Sequence, residues 1–364
     1  MKKVIRVRTV LFCLVFANAL LLGACGGSRQ NDPVVTSEAS LDEVVKKAID
    51  NSILPAVDNF YAQANAFESE AETFCLAPDE TGLSSLQSAW LVLARAWYHL
   101  LPYNFGPLND DIIFPAYIFI DSYRLRGTDY TATLRNEINL NISGEHTLDV
   151  DFFGAEPFQK LGLTALELLV FEVASNQSQV GSEIVAEYLA EPRKCETLLG
   201  LTEQVQLRAL YVSEGWHSSY LGSGTSYYQL FINNELEDGT EALVKLITSV
   251  QEFLDYLAAR NVAVSVAQVS GESWTLVSAS IDEINSLLTG LGDTRFTFYG
   301  FMLAGGHELE VNTVQENIEF ARSAISQSNA TDFAVASALL DGNFKREIPN
   351  SLEVVLGISF SDGD

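Results

Sequence analysis

The chain has 364 residues, of which 48% are hydrophobic and 19% charged, and its formal net charge is −27. That length is enough for two domains of ordinary size. So large an acid excess repels phosphate backbones, which sets nucleic-acid binding aside, and it rules out membrane attachment through a basic patch.

The first segment reads as an export signal. Lys2, Lys3, Arg6 and Arg8 precede an apolar run from Val10 to Leu22. A charged start followed by a short apolar stretch is a secretory pattern, and the run is too short to span a membrane comfortably. It ends in Leu22-Gly23-Ala24-Cys25, which resembles the bacterial lipoprotein cleavage box. Residues 1–24 are therefore expected to be removed and Cys25 to carry the lipid. Acyl chains anchor a protein because each buried methylene contributes about 0.8 kcal/mol. Gly26 after the cysteine, where inner-membrane lipoproteins carry Asp, favours the outer membrane, on its periplasmic face or at the surface. Cleavage leaves 17 basic and 48 acidic residues, a net of −31. Such a surface serves solubility first and could also attract cations. Cys75 and Cys195 remain as a pair in an oxidising compartment and are expected to form a disulfide, the alternative being two buried thiols.

Residues 25–40 read as the lipidated cysteine and a polar, flexible linker. From 41 on the pattern is helical. Val44, Ala48, Ile53, Val57, Phe60, Ala64 and Phe67 recur at three- and four-residue steps, and Pro55 should kink or split that helix. Leu86, Trp90, Leu93, Trp97 and Leu100 form a second stripe, with Ser84 or Ser85 as possible caps and Pro102 and Gly106-Pro107 as its end. Trp90, Trp97, Tyr103 and Phe105 belong to this spacing and read as core. Further helical patterns cover 110–139, 157–175, 180–200, 201–222, 237–260, 273–290, 311–328 and 331–341. Residues 261–270, "NVAVSVAQVS", alternate as a strand would, and 352–360 fit either type. The fold class is all-α, with two helical bundles packed side by side, residues 41–199 and 200–364.

Several of these stretches resemble the imelysin family. They are "LQSAWLVLARAWYHLLPYNFGPLND", the cysteine segments "FCLAP" and "PRKCETLL", the terminal "VVLGISFSDGD", and above all "KLGLTALELLVFE". The last resembles the family's Gly-x-His-x-x-Glu motif running into an apolar helix. The resemblance implies two helical bundles with the motif lining a cleft between them. It also implies a class once grouped with metallopeptidases and tied in several lipoprotein members to iron uptake.

This chain departs from the motif at its chemical centre. Gly162 matches the glycine and Glu167 the glutamate, but Thr164 stands where the histidine belongs. On a helix, positions three apart share a face, so a His and a Glu there could reach one metal ion. A threonine hydroxyl is a poor ligand for a transition metal, which weakens any peptidase reading. Glu167 is then either an outward-pointing carboxylate or a cleft carboxylate partnered by Arg95, Arg124, Arg126 or a ligand. The family segment favours the cleft.

His307 and Glu310 in "GGHELE" fit the same spacing and are the alternative metal candidates, far from the family position. His99, His146 and His217 form no recognisable ligand set. HExxH, GxSxG, a Walker loop and a dinucleotide fingerprint are absent. The expectation is a lipid-anchored, non-catalytic binding protein for a metal ion, a metal complex or a peptide, with a possible link to iron uptake. A peptidase using His307, or an interaction lipoprotein with an envelope protein partner, are the alternatives. No particular cofactor is assigned; a divalent metal or iron is the open possibility.

Overall fold

The computed structural model describes residues 39–111 and 113–356. The export signal, Cys25, most of the linker and the terminal Asp-Gly-Asp lie outside them. The helices are, in chain order, α1 Leu41–Ala48, α2 Leu54–Leu76, α3 Glu80–Leu100, α4 Ala116–Ile120, α5 Thr131–Ser143, α6 Val150–Gly154, α7 Leu163–Phe171, α8 Gly181–Ala190 and α9 Pro192–His217. They continue with α10 Tyr227–Ile232, α11 Ala242–Ala259, α12 Val262–Ser265, α13 Ser273–Thr289, α14 Phe298–Ala304, α15 Glu308–Ser326, α16 Ala330–Lys345 and α17 Glu347–Ser351. No strand occurs among the described residues, so the fold is all-α.

Local chemistry sets most helix ends. Ser40 and Glu43 form a reciprocal capping box at the start of α1. Pro55 enters at the first turn of α2, after a π-helical turn, Ile49–Ile53, that joins α1 to α2. Ile53 and Leu54 are both right-handed helical, so Pro55, which has no N–H to donate, lies inside a continuous helical run, and the π-helical turn just before it is the irregularity such a proline calls for. The cap of α3 is Asp79, whose Oδ1 accepts from Gly82 N at 2.7 Å, rather than Ser84 or Ser85.

Three expectations are corrected. Residues 110–139 hold α4 and α5 separated by an irregular turn in which Arg126 and Gly127 both have positive φ (63° and 62°), which a helix cannot accommodate. Residues 261–270 do not form a strand: Asn261 and Ala267 take left-handed conformations, and only the short α12 fits between them. The break expected at residue 200 lies at Pro192, and a boundary at 199/200 would cut the continuous α9.

Helices α2, α3, α5, α7, α8 and α9 pack mainly on one another, and α11, α13, α14, α15 and α16 form a second group. Helix α3 packs against α13, and one hydrophobic cluster runs through both groups. Trp90, Trp97, Tyr103 and Phe105 are all buried in it. Cys75, at the end of α2, and Cys195, in α9, are joined by a disulfide with Cα atoms 5.7 Å apart and 120 residues between them in sequence. A loop of that length gives about 5 kcal/mol in the chain-entropy model.

Candidate functional site

The site begins at the entry to α7. Gly162 has φ +87°, and a Cβ there would lie 2.4 Å from the carbonyl oxygen of Ile120, so only glycine brings the chain this close to the end of α4. Trp90 Nε1 donates to the Leu163 carbonyl at 3.1 Å and ties the first turn of α7 to α3. Leu163, Ala165, Leu166, Leu168, Leu169 and Val170 are buried all round the helix. Thr164 and Glu167, three residues apart, share a remaining face and line a cavity of about 340 Å³. Its other walls are Ser122 and Tyr123, residues between Thr128 and Arg135, Gln179 and the segment Ser265–Val269. That volume suits a small ligand.

Glu167 is 2% exposed. Its Oε1 accepts hydrogen bonds from Ser270 N and Ser270 Oγ, both at 2.8 Å. Burial pushes its carboxyl above the ordinary range, while the Ser270 donors pull the other way. None of the partners anticipated from the sequence takes this role. Arg95 is exposed on α3 and does not line the cavity, and Arg124 and Arg126 line a different one. Arg135 does line this one, but its guanidinium holds Glu172 by two bonds of 2.7 and 2.8 Å.

The donor set does not fit a hydrolytic transition metal. Thr164 supplies a hydroxyl, Glu167 already accepts hydrogen bonds from Ser270, and Asp129, the other carboxylate of the wall, accepts from Thr131 N. Among the described residues no three His, Cys, Asp or Glu side chains converge on one point. His307 occupies the N-cap position of α15 without a side-chain capping bond, its Nδ1 3.9 Å from Glu310 Oε2, and neither residue lines the cavity.

Sequence reasoning missed Ser270, 103 residues from Glu167. It also missed a network joining the two helix groups. His99 Nδ1 lies 3.1 Å from Glu283 Oε2, and Tyr103 donates to Glu283 Oε1 at 2.6 Å. His217 pairs with Asp58 of α2 at 2.6 Å. None of these partners has a local signal, since each pair is more than 100 residues apart.

The family model described as Imelysin matches residues 53–294. The chain belongs to the imelysin family. The match includes Gly162, Thr164, Glu167 and both bridged cysteines, and it excludes His307 and Glu310. Two solved structures share the imelysin fold seen here. One is an imelysin-like protein of Psychrobacter arcticum, with a TM-score of 0.65 and 16% identity, covering 89% of this chain and 100% of its own. The other is a candidate iron-regulated protein A precursor of Parabacteroides distasonis, with a TM-score of 0.58 and 12% identity, covering 87% of this chain and 97% of its own. No curated protein matches the sequence. Among the described residues of this imelysin, no helix is long and apolar enough to cross a membrane.

Proposed function

We propose that this imelysin is a lipid-anchored protein of the cell envelope that holds, without hydrolysing, a polar ligand in the Thr164–Glu167 cavity. The observation that carries the reading is the pairing of Glu167 with Ser270 beside a threonine at the motif-histidine position. This arrangement offers hydrogen bonds in a sheltered pocket rather than ligands for a bare ion. A peptide, or a metal complex gripped through its own ligand shell, suits such a lining. The iron-regulated name of one structural neighbour favours the metal complex. The lipid anchor at Cys25 rests on the lipoprotein-like box, and the outer membrane on Gly26.

Two assays test the reading. Purified protein is incubated with unfolded casein, with and without chelator. No chelator-sensitive cleavage is expected, and cleavage that disappears in His307→Ala would overturn the non-catalytic reading. Calorimetric titration with a ferric hydroxamate complex and with a short peptide should show one of them binding, at least tenfold more weakly in Glu167→Ala. Equal binding in both proteins would remove Glu167 from the site. For the anchor, Cys25→Ser should move the protein from the membrane fraction to the soluble one.

A further inference from the structure

A second cavity, of about 300 Å³, lies beside the first and is lined by Asn104, Tyr117, Arg124, Arg126, Tyr256 and Arg260, among others. The segment Ser122–Arg126 separates the two: Ser122 and Tyr123 line the first cavity, Arg124 and Arg126 the second. Three arginines in one pocket are unexpected in a chain with a net charge of −27. Among the described residues Arg135, Arg193, Arg295, Arg322 and Arg346 each pair with a carboxylate. Arg124, Arg126 and Arg260 form no such ion pair and share one cavity, with the buried Asp121 near enough to Arg124 to act on its charge.

The pocket is built rather than incidental. The Arg124 guanidinium sits 4.5 Å from the centre of the buried Tyr256 ring, which fixes its plane. Arg124 Nε and Asn104 Oδ1 are buried with no hydrogen-bond partner among the described residues. Arg126 occupies a left-handed conformation, φ 63°, a strained placement for a residue with a side chain. A Cβ at the next residue, Gly127, would come within 2.6 Å of Arg260 Cδ, so the glycine is what lets the Arg260 side chain lie across the turn. Tyr123 Oη donates to the Arg260 carbonyl at 3.0 Å and locks the turn to the end of α11. A helix C-terminus by itself attracts a cation. That accounts for one arginine at position 260, and for neither Arg124 nor Arg126. Glu252 and Asp255 on α11 also line the cavity, so its charge is mixed, with cations in excess.

We propose that this pocket binds a small oxyanion, a carboxylate or phosphate group, between the guanidinium groups of Arg124, Arg126 and Arg260. Guanidinium groups match these anions in shape as well as charge, through paired N–H donors. The exposed Asp255 in the same wall favours an anion that also carries a hydrogen-bond donor, such as a hydroxycarboxylate.

The test is isothermal titration of the full exported chain with inorganic phosphate and, separately, with citrate, in chloride buffer. One of the two should bind saturably, and the stronger one identifies the anion class. Arg126 and Arg260 are exposed, so Arg126→Ala/Arg260→Ala should keep its melting temperature and bind at least tenfold more weakly. Arg124→Lys keeps the charge but loses the planar fork, and it should also weaken binding. Arg295→Ala removes an exposed arginine paired with Asp293 and should bind as wild type does. Absence of saturable binding of either anion would overturn the proposal, as would equal affinity in the wild type and the double variant.

Discussion

Helix α7 and the residue that ends it present two buried carboxylates, Glu167 and Glu172, each only 2% exposed. Their surroundings differ. Glu172 is gripped by both arms of Arg135, and the wholly buried Lys194 donates to its backbone carbonyl at 3.0 Å while reaching Glu187. Glu167 is hydrogen-bonded by neutral donors, Ser270 N and Oγ and the Val269 backbone, with the Arg135 charge acting on it from a distance, and it opens onto a cavity. A buried carboxylate matched by a cation is part of the framework. One held by neutral groups at a cavity wall is held for something else, because burying it uncompensated costs stability.

The largest effect should come from orphaning the framework carboxylate. Arg135→Met leaves Glu172 buried and unpaired, and denaturant unfolding should show a loss of about 3 kcal/mol, the low end for breaking a buried pair because Arg135 is partly exposed. Lys194→Met strips Glu187 and the Glu172 carbonyl of their shared donor, and should cost about 2 kcal/mol in the same measurement. On the cavity side the losses are smaller. Ser270→Ala removes the hydroxyl donor to Glu167 while the backbone donors of Ser270 and Val269 stay, so about 1 kcal/mol is expected. A drop as large as that of Arg135→Met would erase the contrast between the two sites.

The smallest effect is Glu167→Gln, and its size depends on pH. Burial raises the folded pKa of Glu167 above its unfolded value. The folded state therefore favours the protonated form. The stability this brings is present in full below the unfolded pKa and is lost as pH rises through the folded one. Glutamine mimics the neutral form at every pH. The variant should match the wild type at acid pH and gain on it, by about 1 kcal/mol or less, as pH approaches neutrality. Melting curves across that range check this; a variant that loses ground as pH rises would contradict it.

What was legible in the sequence followed from local spacing. The stripe of Leu86, Trp90, Leu93, Trp97 and Leu100 declared α3 because each residue buries the same face. The cysteine pairing followed from counting. The misplaced break at residue 200 has a physical cause. Gly200 looks like a helix end, yet a Cβ there would meet Phe153 Cδ2 at 2.5 Å, so the glycine serves close packing inside α9. The alternation of 261–270 suggested a strand, but left-handed turns at Asn261 and Ala267 override it and deliver Ser270 to Glu167. That meeting of residues 103 positions apart leaves no trace in local pattern. The departure at Thr164 was legible; the partner of Glu167 was not.

The central claim is that a hydroxyl at position 164 leaves the cavity a hydrogen-bonding pocket and not a metal centre. Zinc titration of wild type beside Thr164→His tests it most directly. The account predicts no zinc-dependent heat assignable to Glu167 in the wild type, and a new stoichiometric site in Thr164→His that Glu167→Ala abolishes. Stoichiometric zinc binding by the wild type, lost in Glu167→Ala, would contradict it.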